Sequence, residues 1–256
     1  MNSAEDTTAR GFSQHDRPTP RLQPMRALRA LNQLRDNPDD TAQVFTIIEA
    51  LSGRAPLRVL ARFRKDEAGR ALLRDRPNVL SYLSDRAMLE SLPRDSLGRA
   101  YLAFLDREGI TAEGLVGASV EGRRVVIDRE SDFSYMRDRM RDTHDLWHTV
   151  TGYQGDVIGE TALLGFNVAQ LRNPGVATIV LAGLANLRSV DTTKVVVRAF
   201  RDGLRAAWLP PLHWEVMLPL PLAQVRATLR IPPVPAYTPL RTKPLASRAQ
   251  PPSVAS

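Results

Sequence analysis

The chain has 256 residues, 43% hydrophobic and 25% charged, which is the balance of a soluble globular protein with room for one substantial core. It contains no cysteine, so disulfides, thiolate metal sites, iron–sulfur clusters and cysteine nucleophiles are excluded, and any metal must be held by nitrogen and oxygen. The net charge is +7, but acids and bases are mixed along the middle of the chain, without zinc-finger spacing or an aromatic-basic platform, so no nucleic-acid partner is expected.

Residues 1–24 carry Pro18, Pro20 and Pro24 among polar neighbours and balanced charge, and are read as a mobile leader without a secretory apolar region. A helical domain is expected over 25–235. Its first helix runs from Met25 to Leu34. Asn37-Pro38-Asp39-Asp40 breaks and caps, and Val44, Ile47, Ile48 and Leu51 mark one face of the next helix. Leu72 and Leu73 precede an Arg76-Pro77 stop, Val79 to Leu89 follows, and Pro93 and Ser96 introduce a helix carrying Leu97, Tyr101, Phe104 and Leu105. Val120 to Asp128 reads as a short strand, and one helix is expected from Asp132 to Val150. Gly152 and Gly155 make a turn, and a further helix starts near Asp156. Helices over Pro174–Leu187, Thr192–Ala206 and Pro221–Leu229 complete an all-α fold, a single helical domain with disordered tails at both ends. Residues 236–256, rich in proline and carrying Arg241, Lys243 and Arg248 without an acid, are read as a disordered basic tail.

The chemistry is concentrated in His144-Asp145-x-x-His148, with Glu160 twelve positions further on. At about 100° per residue, His144, His148 and Asp145 share one sector of a helix, and a short turn can fold Glu160 back onto it. Two imidazoles at i, i+4 with carboxylates nearby suit a divalent metal, and these are two of only four histidines. His144, Asp145, His148 and Glu160 are therefore the candidate ligands. A zincin-type hydrolase would need Glu where Asp145 stands. A His-Asp phosphohydrolase would need a further upstream histidine, and the one upstream is His15, in the leader. His213, beside Trp214-Glu215, is left off the ligand set, and Asp142 is read as a solvated charge.

Longer blocks resemble one family. Gly69-Arg70-Ala71-Leu72-Leu73-x-x-Arg76-Pro77, Leu92-Pro93-x-x-Ser96-Leu97-Gly98-Arg99-Ala100-Tyr101-x-x-Phe104-Leu105, His144-Asp145-x-x-His148-x11-Glu160, and Trp214-Glu215 with Pro221-Leu222-x-x-Val225-Arg226 resemble, in order, blocks of the ubiquinone (coenzyme Q) biosynthesis protein 4 family. Ser96-Leu97 stands where that family usually has Thr-Phe. The resemblance implies a membrane-associated helical protein that binds a divalent metal through the quartet. Zinc is the first choice, with iron, manganese and cobalt open. It implies oxidative decarboxylation and hydroxylation at ring C1 of a polyprenylated 4-hydroxybenzoate, with other ubiquinone biosynthesis proteins as partners. A non-catalytic lipid-binding scaffold is the alternative it allows.

Zinc is redox-inert, and a metal closed by four protein ligands is structural, so catalysis requires an open position. No apolar run reaches the ~18 residues of a membrane span. The expected place is therefore cytoplasmic, at the inner face of a bacterial cell membrane, held peripherally by a basic surface and apolar helices. A homo-oligomer is also compatible with the sequence.

Overall fold

The computed structural model describes residues 22–36, 41–111, 114, 117 and 131–241. Among them the chain forms fourteen helices and no strand, the all-α architecture expected. In chain order these are α1 (Pro24–Asp36), α2 (Thr41–Ser52), α3 (Ala55–Lys65), α4 (Glu67–Asp75), α5 (Val79–Leu83), α6 (Arg86–Ser91), α7 (Leu97–Glu108), α8 (Asp132–Asp142), α9 (His144–Thr151), α10 (Val157–Leu171), α11 (Pro174–Leu187), α12 (Val190–Arg205), α13 (Trp214–Met217) and α14 (Leu222–Leu229). The strand expected over 120–128, and His15, lie outside the described residues.

Short polar side chains set many of the starts. Asp66, Asp85, Ser96, Ser131, Asp156, Asn173 and Ser189 each accept a hydrogen bond from a first-turn N–H of the helix they precede, satisfying donors that no carbonyl within the helix can reach. Asp85 also divides the expected Val79–Leu89 helix into α5 and α6, because capping α6 takes it out of helical conformation.

The principal core collects Tyr101, Leu146, Leu163, Phe166 and Trp214, all buried, from α7, α9, α10 and α13. α10 and α12 pack along each other. Their approach is set by Gly203, where a Cβ would stand 2.7 Å from the Phe166 carbonyl oxygen. A second cluster joins Phe63 of α3, Leu72 of α4 and Met136 of α8, and a third joins Ala30, Ile47 and Ile179 of α1, α2 and α11.

Several expectations are corrected. The single helix from Asp132 to Val150 is broken at Thr143, whose backbone sits at φ −95° and ψ 4° and whose hydroxyl donates to the Arg139 carbonyl at 2.9 Å. That back-bond competes with the helix and bends the chain. α3 and α13 were not anticipated: α3 is masked by four basic residues among its eleven, although Val59, Leu60 and Phe63 line its buried face. The packed chain also runs past the expected boundary at 235. Tyr237 donates to Asp156 at 2.8 Å, Val157 N–H to the Leu240 carbonyl at 2.9 Å, and Arg241 to Glu108 at 2.8 Å, so the part of the presumed tail up to Arg241 belongs to the domain.

Candidate metal centre

α9 is only eight residues long, and it presents His144 at its first position and His148 one turn later. The two imidazole rings meet edge to face with centroids 4.8 Å apart. Glu160 enters from the first turn of α10, where the positive end of the helix favours its charge. One ligand atom from each of His144, His148 and Glu160 lies within 4.8 Å of the others.

The placement of His148 is the most constrained. Its side chain is 1% exposed, Phe104 of α7 stacks on the ring at 5.1 Å, and Nδ1 lies 2.9 Å from the Tyr153 carbonyl oxygen. A carbonyl only accepts, so Nδ1 carries a proton, and in the neutral ring Nε2 presents a lone pair. That Nε2 is buried and has no hydrogen-bond partner, yet Oε1 of Glu160 stands 3.3 Å away. Two acceptors facing one another at that distance repel, unless a cation or proton lies between them. The donor set of two imidazoles and a carboxylate matches what divalent first-row metals take.

Asp145 occupies a different position. Its Oδ1 lies 3.3 Å from Nδ1 of His144, which leaves Nε2 as that ring's remaining ligand atom. Packing around His144 disfavours charge on the ring, but the hydrogen bond to Asp145 and the charges of Glu160 and Asp145 outweigh it and raise its pKa. The structure thus brings together His144, His148 and Glu160, and puts Asp145 against His144, outside that cluster of ligand atoms.

The surroundings fix the two helices. Arg226 donates to the Thr149 and Val150 carbonyls at the end of α9, and Gly152 turns the chain there at φ +85°, a conformation that favours glycine. At the start of α10, Asp156 is 2% exposed and takes hydrogen bonds from Ile158 N–H, the Tyr237 hydroxyl and Leu240 N–H. Glu108, 1% exposed in its side chain, pairs with Arg241 and accepts from Gly155 N–H. Burial alone would raise the Glu108 pKa, but Arg241 and the Gly155 N–H overcome it and hold the carboxyl below its ordinary value. The mouth of the site is polar, with the side chains of Glu160 44% and His144 38% exposed.

Sequence reasoning missed Glu108, Asp156, Tyr153 and Arg241. Tyr153 contributes a backbone carbonyl, which no residue type signals, and Arg241 lay in the presumed tail. Asp142, read as a solvated charge, is only 6% exposed and pairs with Arg141. His213 precedes α13, whose Glu215 pairs with buried Arg139 at 2.8 Å. Leu163 and Phe166 are core residues.

Comparison with known proteins places these features in a family context. Residues 23–235 match the model of the family described as coenzyme Q (ubiquinone) biosynthesis protein Coq4. The chain is 30% identical over 206 residues to a mitochondrial ubiquinone biosynthesis protein COQ4 of Clavispora lusitaniae, covering 76% of this chain and 60% of that one. It is 36% identical over 172 residues to its namesake in Pyricularia oryzae, covering 65% and 54% respectively. The chain therefore spans roughly 54 to 60% of the length of these curated relatives. A crystal structure of a protein from Nostoc punctiforme PCC 73102, named for ubiquinone biosynthesis, superposes with a TM-score of 0.60 over 82% of this chain and 99% of the other, at 21% identity, which speaks for the shared fold.

Proposed function

The chain belongs to the coenzyme Q (ubiquinone) biosynthesis protein Coq4 family, and from that membership we propose that it is a metal-dependent enzyme acting on ring C1 of a polyprenylated 4-hydroxybenzoate-type precursor. The observation that carries the metal reading is the unpartnered Nε2 of His148 facing Oε1 of Glu160. His144, His148 and Glu160 hold the cation, zinc in the first instance, with Asp145 on His144 or brought in as a fourth ligand.

In the proposed reaction the carboxyl group leaves as CO2 and a hydroxyl takes its place on the same ring carbon. With water supplying that oxygen, the ring gives up two electrons, and dioxygen accepts them and two protons to become hydrogen peroxide. A bound divalent metal would supply Lewis acidity toward the ring carboxylate and phenolate. The protein's own part is positional: Tyr153 and Phe104 hold the His148 ring in one orientation, and Asp145 orients His144. The exposed edge formed by Glu160 and His144 leaves a substrate room to approach, which favours catalysis over a closed structural site.

Attachment to a membrane surface is part of the same reading. Among the described residues no helix is long and apolar enough to cross a membrane. Val190, Val197, Phe200 and Leu204 nevertheless form an exposed apolar stripe along α12, with Leu204 flanked by Arg58 and Arg172 on one side and Arg205 and Arg230 on the other. Apolar side chains ringed by guanidinium groups suit anionic headgroups over acyl chains. Other proteins of ubiquinone synthesis are the partners such a surface would meet.

The test is to incubate the pure protein, loaded in turn with zinc, iron, manganese or cobalt, with carboxyl-labelled prenylated hydroxybenzoate and dioxygen, and to measure labelled CO2. Release that disappears in His148→Ala supports the enzyme. Absence of release under every loading, together with tight binding of the prenyl chain, decides for a lipid-binding scaffold whose metal pins α9 to α10.

A further inference from the structure

Four buried polar side-chain atoms lack a hydrogen-bond partner among the described residues: Tyr101 Oη, Arg139 Nε, Trp147 Nε1 and His148 Nε2. Such groups are expensive to leave unpaired, so each calls for an explanation. His148 Nε2 is the candidate metal-facing atom. Arg139 spends its other nitrogens on Glu215 and the Leu212 carbonyl. Trp147 packs edge-on against Phe166 in the apolar core. Tyr101, like Trp147, has no polar partner engaged and no role in the site already described, but of the two it is Tyr101 that has carboxylates in its surroundings.

Its position is informative. Tyr101 is fully buried on α7, one turn before Phe104, so the two side chains share the face that packs on α9. Phe104 lies flat on the His148 ring. The phenol is near enough to the Asp145 and Asp142 carboxylates for their charges to hold its proton on, in addition to the effect of burial. Asp142 is engaged with Arg141 through Oδ1. Asp145 has only Oδ1 engaged, by His144, and its Oδ2 accepts no hydrogen bond among the described residues. A buried donor that keeps its proton and a carboxylate with a spare oxygen therefore stand on facing helices.

We propose that Tyr101 is a positioning residue of the metal centre, its hydroxyl donating to the Asp145 carboxylate when a divalent cation is bound by His144, His148 and Glu160. The proposal rests on the metal reading above and extends it to α7. In the metal-free protein the hydroxyl costs stability by being unpaired; in the loaded protein it fixes the carboxylate that in turn orients His144 or joins the metal. Partners of this kind hold ligands in register, and their loss weakens metal binding by about 10- to 100-fold.

The test uses the full chain, stripped with a chelator and titrated with Co2+ and with Zn2+. Affinity is followed by calorimetry and by the visible spectrum of the cobalt form, for the wild type, Tyr101→Phe, Asp145→Asn, the double variant and His148→Ala. Tyr101→Phe keeps the ring and its packing and removes only the hydroxyl. The expected result is an affinity loss of about 10- to 100-fold with an altered cobalt spectrum, while the metal-free variant melts at or above the wild-type temperature. The double variant should bind no more weakly than Asp145→Asn alone, because the phenol acts through that carboxylate. Wild-type affinity in Tyr101→Phe, additive losses in the double variant, or a lowered melting temperature of the metal-free protein would each overturn the proposal. If His148→Ala abolishes binding while Tyr101→Phe leaves it intact, the metal site stands and only the role of Tyr101 falls. If the wild type binds neither ion, both fall together.

Discussion

Nε2 of His148 and Oε1 of Glu160 face each other at 3.3 Å without a hydrogen bond, one buried in the core and the other at the mouth of the site. The pair predicts opposite effects of one substitution on the two forms of the protein. Glu160→Gln replaces an acceptor with a group that can donate an N–H to Nε2, so the metal-free protein should gain about 1 kcal/mol. On the proposed metal reading the same change removes an anionic ligand, so stabilisation by zinc, about 2.7 kcal/mol at a hundredfold excess over Kd in the wild type, should largely vanish. Thermal unfolding of both proteins with zinc and with chelator checks this. A variant still stabilised by zinc to the wild-type extent would count against Glu160 as a ligand.

The Glu108–Arg241 pair predicts a pH dependence. The folded-state pKa of Glu108 lies below its ordinary value, so its contribution is fully present above about pH 4.3, the unfolded carboxyl value, and is lost as pH falls through the lower folded value. Arg241→Ala leaves the buried carboxylate with only the longer, half-exposed Arg107 contact at 3.7 Å and should destabilise the protein by about 3 kcal/mol at neutral pH. Denaturant unfolding between pH 7 and 3 should show the variant and the wild type converging at the acid end. A gap that stays constant with pH would contradict the ion-pair account.

Gly203 predicts a packing defect. In Gly203→Ala the new Cβ meets the Phe166 carbonyl oxygen and the Ala169 Cβ, forcing α12 away from α10. The expected cost is about 1–3 kcal/mol, read from the midpoint of chemical denaturation. An unchanged midpoint would mean the two helices separate without penalty.

The stripe on α12 predicts a vesicle-binding phenotype. Leu204, 57% exposed, can be changed to Asp without touching the core. Flotation with vesicles rich in anionic lipid should recover the wild type and much less of Leu204→Asp, and salt should weaken recovery of the wild type as the arginines are screened. Equal recovery of both proteins would place the contact elsewhere.

Much of the helical pattern was legible because it is local. Asn173-Pro174 and Ser96 carry their capping chemistry in the residue type, and the apolar spacing of α2 and α7 follows directly. Thr143 was not legible as a break, because a threonine within a periodic run either continues the helix or bonds back to it, and tertiary context decides. The histidine pair and Glu160 could be read because side-chain type and spacing carry the chemistry. Their supports could not: the Tyr153 carbonyl belongs to the backbone, and the partnership of Glu108 with Arg241 spans 133 positions. Arg241 sits in a composition that ordinarily signals no structure, and its role arises only from the carboxylate it meets.

The bonds that close α9 and the start of α10 reach far along the chain. Arg226 caps the histidine helix, and Tyr237 and Leu240 tie down Asp156, one turn before Glu160. During synthesis the two histidines and Glu160 therefore emerge well before the groups that hold them. A ribosome that has just released Glu160 still has some eighty residues to add before Arg241 can reach Glu108. The two helices acquire their final relation only after that stretch has been translated. On the proposed metal reading, capture of the ion is an event of late maturation, and a nascent chain stalled before Arg226 should hold a divalent cation weakly even with His144, His148 and Glu160 already made.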